Sequence, residues 1–506
     1  MKLRTALLLA YGACNAALYA GLLPLWDGFD EPFHYSYVEQ LARHAELPVE
    51  GRATLSQEVW DSLALAPGSY LVKRNIGQVV AFDEYFARPA AERAELRARL
   101  QGLDPRTGGA RSDMPNYEAH QPPLAYAILA VFDRLWSNAP LLARVLRLRL
   151  LCGILSAIAM GLLTLRIAAR LGLDDRWAEV AAFLVLSSQM FYAATAHVAN
   201  DWLAIPLAAA LILAALTPGA ALAFGIILAA GLLTKAYFLA VLPFAAYEIY
   251  RVRRPIALLP LLAAVPWYAR NVSLYHDLSG MQETAGRGIP IAAMLHALPH
   301  FPWLRSLGAT LTHALWSGNN SDTTFSALTI DVMLALLAAS AILWLRHRRP
   351  IDTTLIVAAA SFAAGLVYST LLSYTVTAGV QVSPSPWYVQ PLFAPILCLC
   401  VAGMARSGRA GIALRIATVT VWTYVICATW LAKLVPLYGG YSGRTSVANL
   451  WRWYTTSSPD IAQIALMPAP ALWTLIAFSL AAAVALNLRM ASLRRPPRSP
   501  RPTPAQ

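Results

Sequence analysis

The chain has 506 residues, of which 58% are hydrophobic and 13% charged, about half the charged share of a soluble domain. That argues against a water-soluble fold. The formal charge of +13 does not point to nucleic acid, because most basic residues cluster in short connections between apolar runs, the pattern of membrane topology.

Taken in chain order, apolar segments of about 20 residues are expected at 5–25, 147–169, 177–198, 202–217, 219–234, 236–250, 255–269, 326–345, 353–374, 387–405, 410–435 and 469–488. The expected fold is therefore an all-α polytopic membrane protein of about 12 transmembrane helices. Residues 5–25 read as a retained first helix rather than a signal peptide, since no clear small-residue cleavage site follows. The short spans between 202 and 250 are the least defined, because Pro218-Gly219 and Thr234-Lys235 read as turns or as kinks.

Counting from an inside start puts Lys2 and Arg4, Arg166 and Arg170, Arg251 with Arg253 and Arg254, Arg346 with Arg348 and Arg349, Arg406 and Arg409, and the run from Arg494 on one side, with both termini. Arg144, Arg147 and Arg149 fall on the other side and break the rule. Cys14, Cys152, Cys398, Cys400 and Cys427 all lie in apolar segments, which suggests packing rather than disulfides or zinc.

Three large outward loops are expected, at 27–146, 270–325 and 436–468. The first holds more than half of the acidic residues. Within it, Pro89 to Leu103 reads as a helix with a charged face, and Pro122 to Trp136 as a short juxtamembrane helix lying in the interface. By domain, 1–435 reads as the transmembrane catalytic module, 436–490 as a loop with the last helix, and 491–506 as a basic, Pro-rich tail.

The chemically loaded stretch follows the first span: Asp27-Gly28-Phe29-Asp30-Glu31-Pro32-Phe33-His34-Tyr35. With Pro32 in the first turn of a new helix, Asp30 or Glu31 would sit at its N-terminus, where backbone N–H groups favour an anion. His34, four residues after Asp30 and three after Glu31, would share their face. The bland reading is a helix cap in a polar interfacial segment.

The run Asp30-Glu31-Pro32-Phe33-His34-Tyr35 resembles the opening motif of the GT-C membrane glycosyltransferases, a group that includes protein O-mannosyltransferases and lipid A aminoarabinose transferases. Four further stretches follow in that superfamily's order. Tyr117-Glu118-Ala119-His120-Gln121-Pro122-Pro123-Leu124 is similar to its H-x-P-P-L element, and His197-Val198-Ala199-Asn200-Asp201 to its Asn-Asp pair. Leu233-Thr234-Lys235 resembles its L-T-K turn, and Pro266-Trp267-Tyr268-Ala269-Arg270-Asn271 its P-W-Y-x-R-N exit. The resemblance covers roughly residues 1–280.

What it implies is a GT-C-like helix bundle and transfer of a sugar from a polyprenyl-phosphate donor to a lipid, glycan or protein acceptor on the outer face. The expected setting is the bacterial inner membrane, with the active site toward the periplasm. Asp30 is then the first choice for general base and Glu31 the second. Arg270, Lys235 and His120 are the candidates for the phosphate, with Gln121, His34, Asn200 and Asp201 as further substrate contacts. For Arg270 and Lys235 the rival reading is snorkelling, and for Asn200 and Asp201 it is capping of the next helix. Whether Glu31, His34 and His120 hold a divalent metal or the histidines only hydrogen-bond stays open. The rival function is a transporter or lipid flippase, against which stand the lack of an internal repeat and of a deep intramembrane acid.

Overall fold

All twelve segments are helical in the computed structural model, which describes residues 3–253, 255–280, 291–316, 318, 324–456 and 461–492. Lys2, Arg254, the basic tail from Arg494 and parts of the 270–325 loop lie outside the described residues.

Among the described residues, seven helices are long and apolar enough to cross a membrane, and Asp175–Leu186 with Gln189–Thr195 makes one more as a pair bent by 59°. The segments in the middle of the chain are shorter or divided. Asp201–Ala215 and Ala221–Leu232 are shorter apolar helices. Segments 236–250 and 255–269 are each divided into a 3-10 stretch followed by an α-helix. Proline is the cause: Pro243 and Pro266 sit in the first turns of Leu242–Val252 and Val265–Tyr275, and Pro260 lies inside Pro255–Ala263. A residue without an N–H is tolerated at a helix start and interrupts a helix interior.

The first span, Leu3–Leu22, packs against Leu141–Arg170, Asp175–Leu186 and Ala469–Ser492. Tyr19 stacks on Tyr192 at 5.6 Å and meets Trp430 edge-on at 5.1 Å. Asn15, buried in this apolar setting, is fully engaged: its Oδ1 accepts from Trp430 Nε1 (3.2 Å) and Ser479 Oγ (2.8 Å), and its Nδ2 donates to Tyr11 O (3.0 Å). A satisfied buried amide pins three helices in register, whereas an unsatisfied one would destabilise the bundle. The last helix is thus packed into the core, and the boundary expected at 435 is bridged again by the 2.6 Å bond from Tyr438 to Asp27.

Leu141–Arg170 has 30 residues, about 45 Å of helix against a hydrocarbon layer of about 30 Å. Its first turns carry Arg144 and Arg149 into a module formed by residues 27–140. This module contains the helices Glu31–His44, Gln57–Leu63, Tyr70–Ile76, Phe82–Ala87, Ala90–Gln101 and Leu124–Leu135. The charged helix and the short apolar helix are both present as expected. Two small sheets join them: Thr54–Ser56 runs antiparallel to Arg111–Pro115, with Thr54 opposite Pro115, and Pro67–Gly68 runs parallel to Val80–Ala81. Tyr35, Val38, Leu55, Val59, Tyr126, Leu129 and Val145 form the module's own core.

Two of the three rule-breaking arginines, Arg144 and Arg149, are explained by what surrounds them. Arg144, fully buried, donates to Glu39 (2.8 Å), the Tyr35 hydroxyl (2.7 Å) and Glu58, and lies 3.5 Å from Asp133. One guanidinium thus answers three carboxylates from three helices. Burial and the adjacent Glu39 carboxylate push Glu58 up to about 8, against the pull of Arg144. Because this folded-state value lies above the ordinary one, Glu58 stabilises the fold most fully at low pH, and the contribution is lost as pH rises toward and through about 8. Purified protein should melt at a lower temperature at ~pH 9 than at ~pH 6, and Glu58→Gln should flatten that dependence.

At the other end of the bundle Asp352 accepts from Arg406 at 2.7 and 3.2 Å, and Glu179 meets Arg489 at 3.2 Å. The cysteines are unpaired, four of them buried.

Candidate active site

After the first span the chain turns through Leu23 to Asp30 and enters Glu31–His44. Two non-glycine residues in this turn adopt left-handed backbone, Trp26 at φ 65° and Asp30 at φ 54°. Such a conformation costs an L-residue about 1–2 kcal/mol, least for Asp. Packing holds the first in place, since the buried Trp26 donates to Ser62 Oγ at 2.7 Å. At Gly28 a Cβ would lie 2.7 Å from the Cβ of His197, so glycine is what lets this turn press against the 197–201 segment.

The two neighbouring acids meet different fates. Glu31 is fully buried and clamped by Arg149, which donates from Nε at 2.8 Å and from a second nitrogen, while the Val198 N–H adds 3.0 Å. Burial opposes its ionisation, but the Arg149 charge and these hydrogen bonds outweigh it and hold the carboxyl below its usual range. Arg149 also donates to Leu23 O (2.6 Å) and Pro24 O (2.9 Å), stapling the turn. Both oxygens of Glu31, the second choice for the base, are thus engaged by Arg149 and the Val198 N–H.

Asp30 retains partial exposure. It occupies the N-cap position, but its side chain makes no capping bond, contrary to the expected cap. It accepts instead from the Tyr117 hydroxyl at 2.5 Å through Oδ1. Burial raises its pKa above the ordinary aspartate value, with Tyr117 and Lys235 pulling back and Asp201 pushing further up. That one acid responds to three other motif residues places the first, second, third and fourth motif stretches around one locus.

Backbone and side-chain bonds confirm the convergence. The Leu124 N–H donates to Leu233 O at 2.8 Å, and Asn200 Nδ2 donates to Gln121 Oε1 at 3.0 Å. Lys235 Nζ donates to Asp201 Oδ2 at 2.6 Å and lies 5.1 Å and 5.5 Å from the ring centres of Tyr388 and Tyr237. Asp201 Oδ1 and Asn200 Oδ1 are buried acceptors without a hydrogen-bond partner.

His34 and His120 are buried. Burial holds His120 down at about 4, opposed by its 2.7 Å contact with Tyr117 O. His34 is lowered for the same reason, with Nδ1 2.8 Å from the Tyr126 hydroxyl. His120 lines the cavity beside Lys235, where burial disfavours its charged form. Arg270 donates to Pro48 O at 2.7 Å and stacks on Trp267 at 4.8 Å; like Asp30, Asn200 and Asp201, it is outside the lining of the cavity beside Lys235.

That cavity holds about 330 Å³. Its polar end is made by His120, Gln121, Lys235, Asp277, Ser279 and Tyr388, and its apolar wall by Leu239, Ala240, Phe362, Leu366 and Leu372. Phe362 to Leu372 belong to Asp352–Val376, one of the membrane-length helices. The hollow thus runs from Lys235, between the short apolar helix Ala221–Leu232 and the stretch Ala236–Val241, along the apolar face of a membrane-length helix. It can accept an anionic head with an apolar tail.

Glu31, His34 and His120 do not fit the metal-binding alternative. Glu31 faces Arg149, and no group of three potential ligands forms among the described residues.

Several residues that shape the site were not singled out from the sequence. Tyr117 lay in a quoted motif without a role, and Tyr237, Tyr388 and Asp277 carried no spacing signal. Arg149 had one, its violation of the charge rule.

No protein-family model matches the chain, and no curated protein does. Among solved structures, the chain is similar to ArnT from Cupriavidus metallidurans bound to undecaprenyl phosphate. The identity is 11%, covering 97% of this chain and 76% of that one, with a TM-score of 0.47. It is also similar to the archaeal oligosaccharyltransferase AglB from Archaeoglobus fulgidus in complex with an inhibitory peptide and a dolichol-phosphate, at 11% identity, 98% of this chain, 57% of that chain and a TM-score of 0.39.

Proposed function

We propose that this protein is a GT-C-type glycosyltransferase that moves a sugar from a polyprenyl-phosphate donor to an acceptor hydroxyl at the outer face of the membrane. The observation that carries this reading is the pairing of a partly exposed, uncapped Asp30, whose carboxyl feels the charge of Lys235, with the cavity that Lys235 and Asp277 line at its polar end and Phe362 to Leu372 along its apolar wall.

In the proposed step, Asp30 takes the proton of the acceptor hydroxyl as its oxygen attacks the anomeric carbon. The bond from that carbon to the phosphate oxygen breaks on the opposite side, so configuration inverts and the lipid phosphate departs with both electrons. Lys235 lies at the polar end of the hollow, where it can balance the charge on the leaving phosphate. His120 and Gln121 offer neutral hydrogen bonds there, and the unpartnered oxygens of Asn200 and Asp201 are suited to sugar hydroxyls. Arg270 is assigned to fastening the 27–140 module through Pro48.

Purified protein incubated with a panel of polyprenyl-phosphate sugars should release sugar from at least one, read by mass spectrometry. If no such donor is bound or consumed, the reading fails. Lys235→Gln should weaken donor binding by roughly 10- to 100-fold, the worth of a charge-assisted hydrogen bond, whereas Arg270→Gln should chiefly lower the melting temperature. Equal effects of the two on donor affinity would contradict the separation of their roles.

A further inference from the structure

A groove of about 720 Å³ lies between the 27–140 module and residues 437–442, and it shares no lining residue with the hollow beside Lys235. Tyr70, Arg74, Phe82, Asp83 and Phe86 line it from the module, and Tyr441 lines it from the other side. Tyr70 and Arg74 are one turn apart on Tyr70–Ile76, so their side chains leave the same face of that helix. The wall opposite closes in because Gly440 has φ 80° and no side chain; a Cβ there would lie 2.8 Å from the Phe86 ring. Phe82 meets Tyr438 edge-on at 5.7 Å, and Tyr438 holds Asp27, so the groove is built onto the turn that presents Asp30.

Neither membrane anchoring nor the charge rule accounts for this lining. Aromatic residues of an interfacial belt stand beside apolar surface. Tyr70, 63% exposed, stands instead among Lys73, Arg74, Asp83 and Glu84, with Lys73 paired to Glu84. Arg74 belongs to the module rather than to a short connection between membrane helices; it is exposed and has no hydrogen bond or ion pair among the described residues. Asp83 is exposed as well and accepts from the Tyr70 hydroxyl at 2.5 Å through Oδ2. That bond steadies the ring, and a carboxylate has room for further donors.

Aromatic faces flanked by one guanidinium and one carboxylate suit a ligand with an apolar face and a polar rim. A saccharide ring has both: its C–H face lies on an aromatic ring, while its hydroxyls accept from a guanidinium and donate to a carboxylate. An acyl chain in the same place would take Arg74 and Asp83 out of water unpaired. We propose that this groove holds a saccharide unit of the acceptor against the Tyr70 ring, within reach of Arg74 and Asp83. The inference rests on the transferase reading and names the acceptor as a glycan-bearing molecule.

The full chain in nanodiscs, titrated with short neutral oligosaccharides of the maltose, cellobiose and chitobiose series and followed by saturation-transfer NMR, is the test. At least one series should bind. R74Q and Y70A should each weaken that binding by about tenfold with the melting temperature unchanged, since both side chains are exposed. Y70F, which keeps the ring and loses the bond to Asp83, should retain more affinity than Y70A. R74Q removes no recorded bond and keeps the test valid should Y70A fold poorly. Binding by none of the series, or equal binding by parent and variants, overturns the groove, and capture of an unglycosylated peptide in place of a saccharide overturns the ligand class. Donor consumption, measured on the same samples with the polyprenyl-phosphate panel, separates the two readings. Donor consumed with no saccharide bound rejects the groove alone, whereas saccharide bound with no donor bound or consumed rejects transfer and with it the acceptor role.

Discussion

Asp30→Asn should lower sugar transfer by about 10²- to 10⁴-fold, the usual contribution of a positioned base, while leaving donor affinity near that of the parent protein. Asparagine keeps the size of the side chain and an oxygen for the Tyr117 hydroxyl, but it cannot take a proton. Steady-state turnover and a separate donor-binding measurement distinguish the two effects, and turnover near that of the parent would remove Asp30 from the mechanism. A pH profile gives an independent check. A base must be ionised to act, and burial raises the Asp30 pKa, so kcat/KM should rise with pH through a value above the ordinary aspartate range. Tyr117 opposes that rise by donating to the carboxylate. Tyr117→Phe should therefore move the acidic limb to still higher pH, an effect that a purely structural tyrosine would not produce.

Glu31→Gln, one residue away, should act on folding rather than on chemistry. It leaves the guanidinium of Arg149 buried without its countercharge, and breaking one side of a buried pair costs about 3–5 kcal/mol. Both side chains are fully buried, so solvent offers little relief. The expected result is a sharp fall in melting temperature and in yield of folded protein. Replacing both partners by apolar residues, Glu31→Leu with Arg149→Met, should recover much of the loss, because the isolated charge is then gone. A Glu31→Gln protein that is stable yet inactive would instead make Glu31 the reacting group and overturn the division of labour between the two acids.

The adjacency of Asp30 and Glu31 shows where sequence reasoning stops. Both precede a proline at a helix start, and local rules gave either of them to the cap. Neither caps. Glu31 is claimed by Arg149, 118 positions later in the chain, and Asp30 by Tyr117, 87 positions later. The departure of Arg144 and Arg149 from the charge rule was visible in the sequence, but its meaning was not. Those arginines lie in the first turns of a 30-residue helix, where buried carboxylates surround them.

The sequence by itself determined the membrane-embedded, all-helical class, the position of every apolar segment, and the grouping of most arginines, because hydrophobic length and charge are local properties of a chain meeting a bilayer. It also marked the stretches that converge at the site. Only the tertiary structure decided which partners the two acids meet, that His120 is buried, that Arg270 turns to Pro48 while Lys235 faces the cavity, and that five arginines line a second hollow. Those outcomes depend on burial and on partners more than a hundred residues away in several cases, and the energy of a charge is governed by the neighbours and solvent that folding gives it.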